Sequence, residues 1–147
     1  MLQRTREEDI HIHIPEDVVV TKKLNGKLKD SKVVNIDSIP CDHYVADIGP
    51  KTIMRYIEHM ISPRTVIWSG PMGVFEIDEF ASGTIGVAQA LAESDGVTII
   101  GGGSTAYAVE AMGFGDRFSH VSTGGGAMLD FLGGKDLPGI IGLPEKR

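Results

Sequence analysis

Cysteine is nearly missing from this sequence. Cys41 stands alone, so the chain can form no internal disulfide and no cysteine-based zinc site. Long apolar runs are missing too, and no stretch approaches the length of a membrane span. The first nine residues carry too much charge to hold a signal-peptide core. Basic residues are in deficit: 14 Lys and Arg stand against 20 Asp and Glu, for a net charge of −6. That argues against a nucleic-acid surface. It leaves room for a small phosphorylated ligand, which needs only local positive potential. The expectation is a cytoplasmic chain with neither nucleic-acid nor membrane partner. Its 147 residues suffice for one domain with a real core.

Glycine, by contrast, is abundant, with 19 residues, many in the second half. Two clusters dominate: Gly101-Gly102-Gly103-Ser104-Thr105 and Ser122-Thr123-Gly124-Gly125-Gly126. Each follows a short apolar run, Val97–Ile100 or Phe118–Val121, that reads as a strand. Each precedes a run of helical character, Ala106–Met112 or Ala127–Leu132. Strand, bare glycine backbone and helix start is an arrangement suited to an anion: N–H groups point at the ligand and the helix N-terminus favours negative charge.

Upstream, Asp17–Thr21 and Lys32–Ile36 read as strands, joined by a polar turn over Lys22–Asp30. Ile10–Ile14 alternates Ile and His, the period of a strand with one apolar face; His11 and His13 share the other face and read as solvated. Asp47–Thr52 gives a helix-start signal around Pro50, and Pro63 ends that helix. Thr65–Trp68 is a strand, Thr84–Glu93 a helix with an apolar stripe, and Leu137–Leu143 an extended tail. Strands alternating with helices from Asp47 onward predict an α/β fold with a parallel sheet and helices on both faces.

In such a sheet, ligands bind beyond the carboxyl ends of the strands. Three loops fall there: Ser69–Glu76, Gly101–Thr105 and Ser122–Ala127. They offer backbone N–H groups, five hydroxyls and one carboxylate, Glu76, but no Lys or Arg. Two phosphate-binding patterns can be tested. The Walker A pattern fails, because Leu129 stands where Lys135 would require a glycine. Gly101-x-Gly103-x-x-Ala106 fits the dinucleotide fingerprint, but the next strand ends near Val121–Ser122 without the ribose-binding acid. A nicotinamide-binding Rossmann protein is therefore the weaker alternative.

Four stretches together resemble the phosphoglycerate kinase family: Trp68–Glu76, Ile100–Ala106, Ser119–Ala127 and Leu132–Gly139. Ile14–Val20 and Asp47–Thr52 extend the similarity over nearly the whole chain. The resemblance implies a Rossmann-like three-layer αβα fold. It also implies a partial domain spanning residues 1–147, the later part of the C-terminal nucleotide-binding domain of a two-domain kinase. The N-terminal 3-phosphoglycerate domain is absent on this reading, as are the phosphate-binding lysines of the earlier half-domain. The implied activity moves a phosphoryl group between 1,3-bisphosphoglycerate and ADP, with Mg2+ and ATP or ADP bound here and the phosphoglycerate on the missing domain. A catalytically silent nucleotide-binding or regulatory module of the same fold is the alternative within the family.

Residue by residue, the resemblance implies that Glu76 binds the ribose, with Ser69, Gly70, Pro71 and Met72 along the nucleoside. Gly101, Gly102, Gly103, Ser104 and Thr105 face the phosphates and metal. Ser122, Thr123, Gly124, Gly125 and Gly126 lie against the transferring phosphoryl group, with Gly102, Gly103, Gly124 and Gly125 closest to the reaction. Ser69 stands where many members have Asn. Ser104 stands at a metal-ligand position where many have Asp, and a serine hydroxyl is a much poorer ligand for a hard cation. Members of the family are normally monomeric. A half domain, however, leaves a sheet edge and apolar faces uncovered, so association or marginal stability is expected.

Overall fold

The structure, a computed structural model, describes residues 5, 7, 8, 10–24 and 31–144. The expected turn over Lys22–Asp30 lies partly outside the described residues, as does much of the charged start.

Two small sheets make the frame. In the first, β1 (Asp17–Thr21) lies between β2 (Ser31–Asn35) and β3 (Tyr44–Ile48), all antiparallel. Valines on β1 and β2 pair directly, Val18 with Val34 and Val19 with Val33. Such branched side chains suit a pleated surface. A register shift between Val19 and Val20 bends the β1–β3 ladder. After β3 comes α1 (Pro50–Ile61), whose proline occupies the first turn. The second sheet is parallel, in the order β4 (Thr65–Ser69), β5 (Val97–Gly101), β6 (His120–Ser122). Helix α2 (Ser82–Ala92) links β4 to β5, and α3 (Gly103–Ala111) links β5 to β6. Helix α4 (Gly125–Leu132) and the single turn α5 (Pro138–Ile141) follow.

The main core lies on one face of the parallel sheet. Trp68, Ile100 and Phe118 pack there against Val87, Ala88 and Leu91 of α2 and Val109 of α3. On the other face, Met128 of α4 covers Gly101 so closely that a side chain there would collide with it. Elsewhere that face is open: Ile67 is 44% and Val97 48% exposed. The two sheets are tied together, because the Val74 N–H donates to the Ala46 carbonyl (2.8 Å) and the Gly83 N–H to the Asp47 carboxylate (2.8 Å).

Four expectations need correction. Ile10–Ile14 forms no regular element and joins no ladder among the described residues; its alternation lacks a partner strand. His13 instead stacks on His59 of α1, ring centroids 3.9 Å apart. Strand β3 occupies residues read only as loop and helix start. The tail is not wholly extended, because Pro138 starts the turn α5. Finally, α3 and α4 begin at Gly103 and Gly125, inside the glycine clusters and not after them.

Candidate phosphate-binding site

Strand register builds the site. Ser69 pairs with Gly101, and Gly101 with Ser122, so β4, β5 and β6 end level with one another. All three loops singled out above therefore emerge at one edge.

Specific contacts then cross-link them. Gly70 has φ +106°, a left-handed conformation that glycine adopts without strain. Its carbonyl accepts from Trp68 Nε1 (2.7 Å), and its N–H donates to Thr105 Oγ1 (2.8 Å). Thr105 is thus buried and works as a strut between the first loop and α3, not as an open lining group. Gly102, at φ +98°, donates its N–H to the Ser122 carbonyl (3.0 Å), joining the first glycine turn to the second. There the turns nearly touch: a β-carbon on Gly125 would lie 2.9 Å from the Gly102 Cα.

The consequence is electrostatic. Neither α3 nor α4 has a side-chain cap at its N-terminus. The first N–H groups of a helix have no intrahelical acceptor, and the helix dipole places partial positive charge on them. Here two such termini meet at the close approach of Gly102 and Gly125. Gly103, Ser104, Gly124 and Gly126 are exposed around it, as are Ser69 and Thr123. The Ser122 hydroxyl accepts from the Gly124 N–H (3.2 Å) and shapes the second turn.

In the first loop, Pro71 is half-buried and Met72 packs against the main core, so Met72 supports this loop from behind. The Met72 N–H donates to Thr84 Oγ1 (3.1 Å). Glu76 is exposed at the rim of a cleft of ≈ 400 Å³, lined also by Phe75, Asp78, Tyr107 and Met112. For a divalent cation the fit is poor. Ser104 brings only a hydroxyl, and no group of three His, Cys, Asp or Glu among the described residues could hold a metal.

The fold is that of an α/β protein whose candidate ligand edge is the carboxyl end of a parallel sheet, with two helix N-termini beside it. Residues 1–135 match the family model described as phosphoglycerate kinase, and the chain belongs to the phosphoglycerate kinase family. It is 51% identical, over 99% of its length, to a phosphoglycerate kinase of Clostridium botulinum strain Langeland, of which it covers 36%. It likewise resembles the structure of phosphoglycerate kinase from Coxiella burnetii, with a TM-score of 0.82 and 40% identity over 91% of this chain and 35% of that one. The enzyme from Pyrococcus horikoshii OT3 aligns with a TM-score of 0.76 and 33% identity, over 92% of this chain and 33% of that one. The chain thus spans about a third of the length of the relatives it matches. Family membership displaces the nicotinamide alternative, and β6 indeed ends in Ser122 where that reading needs an acid.

Proposed function

We propose that this chain is the nucleotide-phosphate half of a phosphoglycerate kinase site. It would bind ADP or ATP at the paired glycine turns, and the phosphoryl group would pass between that nucleotide and 1,3-bisphosphoglycerate. The observation that supports this reading is the close approach of Gly125 to Gly102, which brings two uncapped helix N-termini together. In-line phosphoryl transfer needs positioning and charge neutralisation more than covalent chemistry, and fixed N–H dipoles supply both without reorganising. The N–H groups of Gly103 and Ser104 would hold the nucleotide's phosphates. Those at Gly125 and Gly126 would face the transferred group. Glu76, on the outer end of the first loop, would accept from the ribose hydroxyls. The divalent cation would arrive on the nucleotide's own phosphate oxygens. The phosphoglycerate site and the balancing lysines would belong to sequence beyond these 147 residues, so this chain alone would turn over little or nothing.

Calorimetric titration with ADP tests the reading, with inorganic pyrophosphate as a probe of the phosphate end alone. Saturable binding of both is expected. A Glu76→Gln variant should lose about tenfold in ADP affinity, the worth of one charge-assisted hydrogen bond, and nothing towards pyrophosphate. Flat titrations with both probes would overturn the proposal.

A further inference from the structure

Asp47 is a carboxylate that the scheme above leaves unused. It lies at the end of β3, 1% exposed. Among the described residues it has no cationic partner within ion-pair distance. Burial pushes its carboxyl above the usual range, against the opposing effect of two N–H donors. Those donors are Ile48, to Oδ1 at 2.8 Å, and Gly83 in the first turn of α2, to Oδ2 at 2.8 Å. A Ser or Asn side chain has one acceptor oxygen and could meet only one of these donors, so a carboxyl group with two oxygens is what satisfies both. Its place in the fold points to a further role.

The surroundings supply one. A β-carbon on Gly83 would collide with the Asp47 carboxylate. One on Gly73 would collide with it too, and would lie 2.5 Å from the Phe80 carbonyl oxygen. Neither glycine has a left-handed φ, so space and not backbone freedom excludes a side chain at both. Gly73 lies in the middle of the Ser69–Glu76 loop. Immediately after it, Val74 is bonded to Ala46 of β3. Immediately before it, Met72 is bonded to Thr84 of α2. Asp47 thus fills the wedge where β3, the start of α2 and the back of this loop meet. Neither of its hydrogen bonds among the described residues reaches the two glycine turns.

We propose that Asp47 is a positioning residue: its carboxylate sets the height of the Gly70–Glu76 loop, and so the nucleoside end of the site, independently of the phosphate end. The inference rests on the reading of that loop as the nucleoside wall. The carboxyl group bonds the start of α2 through the Gly83 N–H and meets the loop by close packing at Gly73, so its fixed shape sets the spacing between the two.

The test uses the full 147-residue chain and Asp47→Asn, which keeps the volume but places an amide where two N–H donors need acceptors. ADP affinity should fall about tenfold while pyrophosphate affinity changes less than about twofold. Amide exchange at Val74 and Gly83 should speed up about tenfold or more, with Gly102 unchanged. Should Asp47→Asn fail to fold, Gly73→Ala enters the same wedge from the loop side and should show the same ADP-selective loss. Equal loss towards both probes would overturn the proposal, because general destabilisation lowers both. Unchanged ADP affinity would overturn it as well. If the unaltered chain bound neither probe, the nucleotide reading would fall. Val74 exchange would then decide by itself whether Asp47 sets the loop: faster exchange in the variant supports it, and unchanged exchange refutes it.

Discussion

Gly125→Ala should cost about a hundredfold in ADP affinity while leaving the chain folded. The added carbon would stand 2.9 Å from the Gly102 Cα and 3.5 Å from its nitrogen, so the two turns must separate. The obstacle is backbone, which cannot rotate aside as a flexible side chain would. Separation takes the N–H groups of one helix terminus off the shared focus. Losing one or two hydrogen bonds to a charged ligand, each worth about 1.5–3 kcal/mol, amounts to roughly two powers of ten. Stability should move much less. Overpacking costs about 1–3 kcal/mol, and part of that is offset because alanine favours a helical position by about 1 kcal/mol over glycine. Calorimetry with ADP beside a urea titration separates the two effects. Unimpaired binding in a stable Gly125→Ala chain would mean that the paired turns do not hold the ligand.

Asp17→Ala should unfold the chain more readily than any exposed substitution, by about 3 kcal/mol. Helix α1 has no side-chain cap on its own N-cap residue, Gly49. The cap comes from β1. Asp17, 2% exposed, accepts the N–H groups of Thr52 (2.9 Å) and Lys51 (3.2 Å) and stands 2.8 Å from Thr52 Oγ1. Thr52 Oγ1 in turn accepts the N–H groups of Glu16 (3.0 Å) and Asp17 (3.1 Å). Truncation would strand two helix N–H groups, combining a lost cap of about 0.5–2 kcal/mol with unsatisfied donors at about 1–3 kcal/mol. Against a typical domain stability of about 5–15 kcal/mol, that is large. Burial by itself would raise the Asp17 pKa, but the hydrogen bonds from Thr52 and Lys51 outweigh it and hold the carboxyl below the usual 3.8. A depressed folded value means the contribution is present above the unfolded pKa and is lost as pH falls through the folded one. The gap in urea midpoint between the unaltered chain and Asp17→Ala should therefore be full at pH 7 and shrink below about pH 4. A gap constant down to pH 2 would contradict the capping role.

The parallel half of the fold is written plainly in the residues. Thr65–Trp68 and Val97–Ile100 carry the branched residues that suit strands, and the glycine clusters mark where β5 and β6 end. Their helices begin two to three residues earlier than the apolar pattern suggests. Glycine, serine and threonine give no periodic signal, yet they form the first turns of α3 and α4, whose N–H groups would make the proposed site. Strand β3 was hidden for a related reason. Its pattern, Tyr-Val-Ala-Asp-Ile, carries a buried carboxylate next to its end, and the true helix start at Gly49-Pro50 follows so closely that its signal masks the strand. The roles of Asp17, Asp47 and Thr105 rest on contacts 35 or 36 residues away in sequence, which no local pattern can register. The alternation in Ile10–Ile14 is a true strand pattern without a neighbour among the described residues.

The most direct test of the paired-turn site is an amide-resolved NMR titration of the chain with ADP. The largest shifts should fall together on Gly102, Gly103, Ser104, Gly125 and Gly126, with smaller ones near Glu76. Shifts confined to the cleft of Phe75, Asp78, Tyr107 and Met112, with both glycine turns unmoved, would contradict the account.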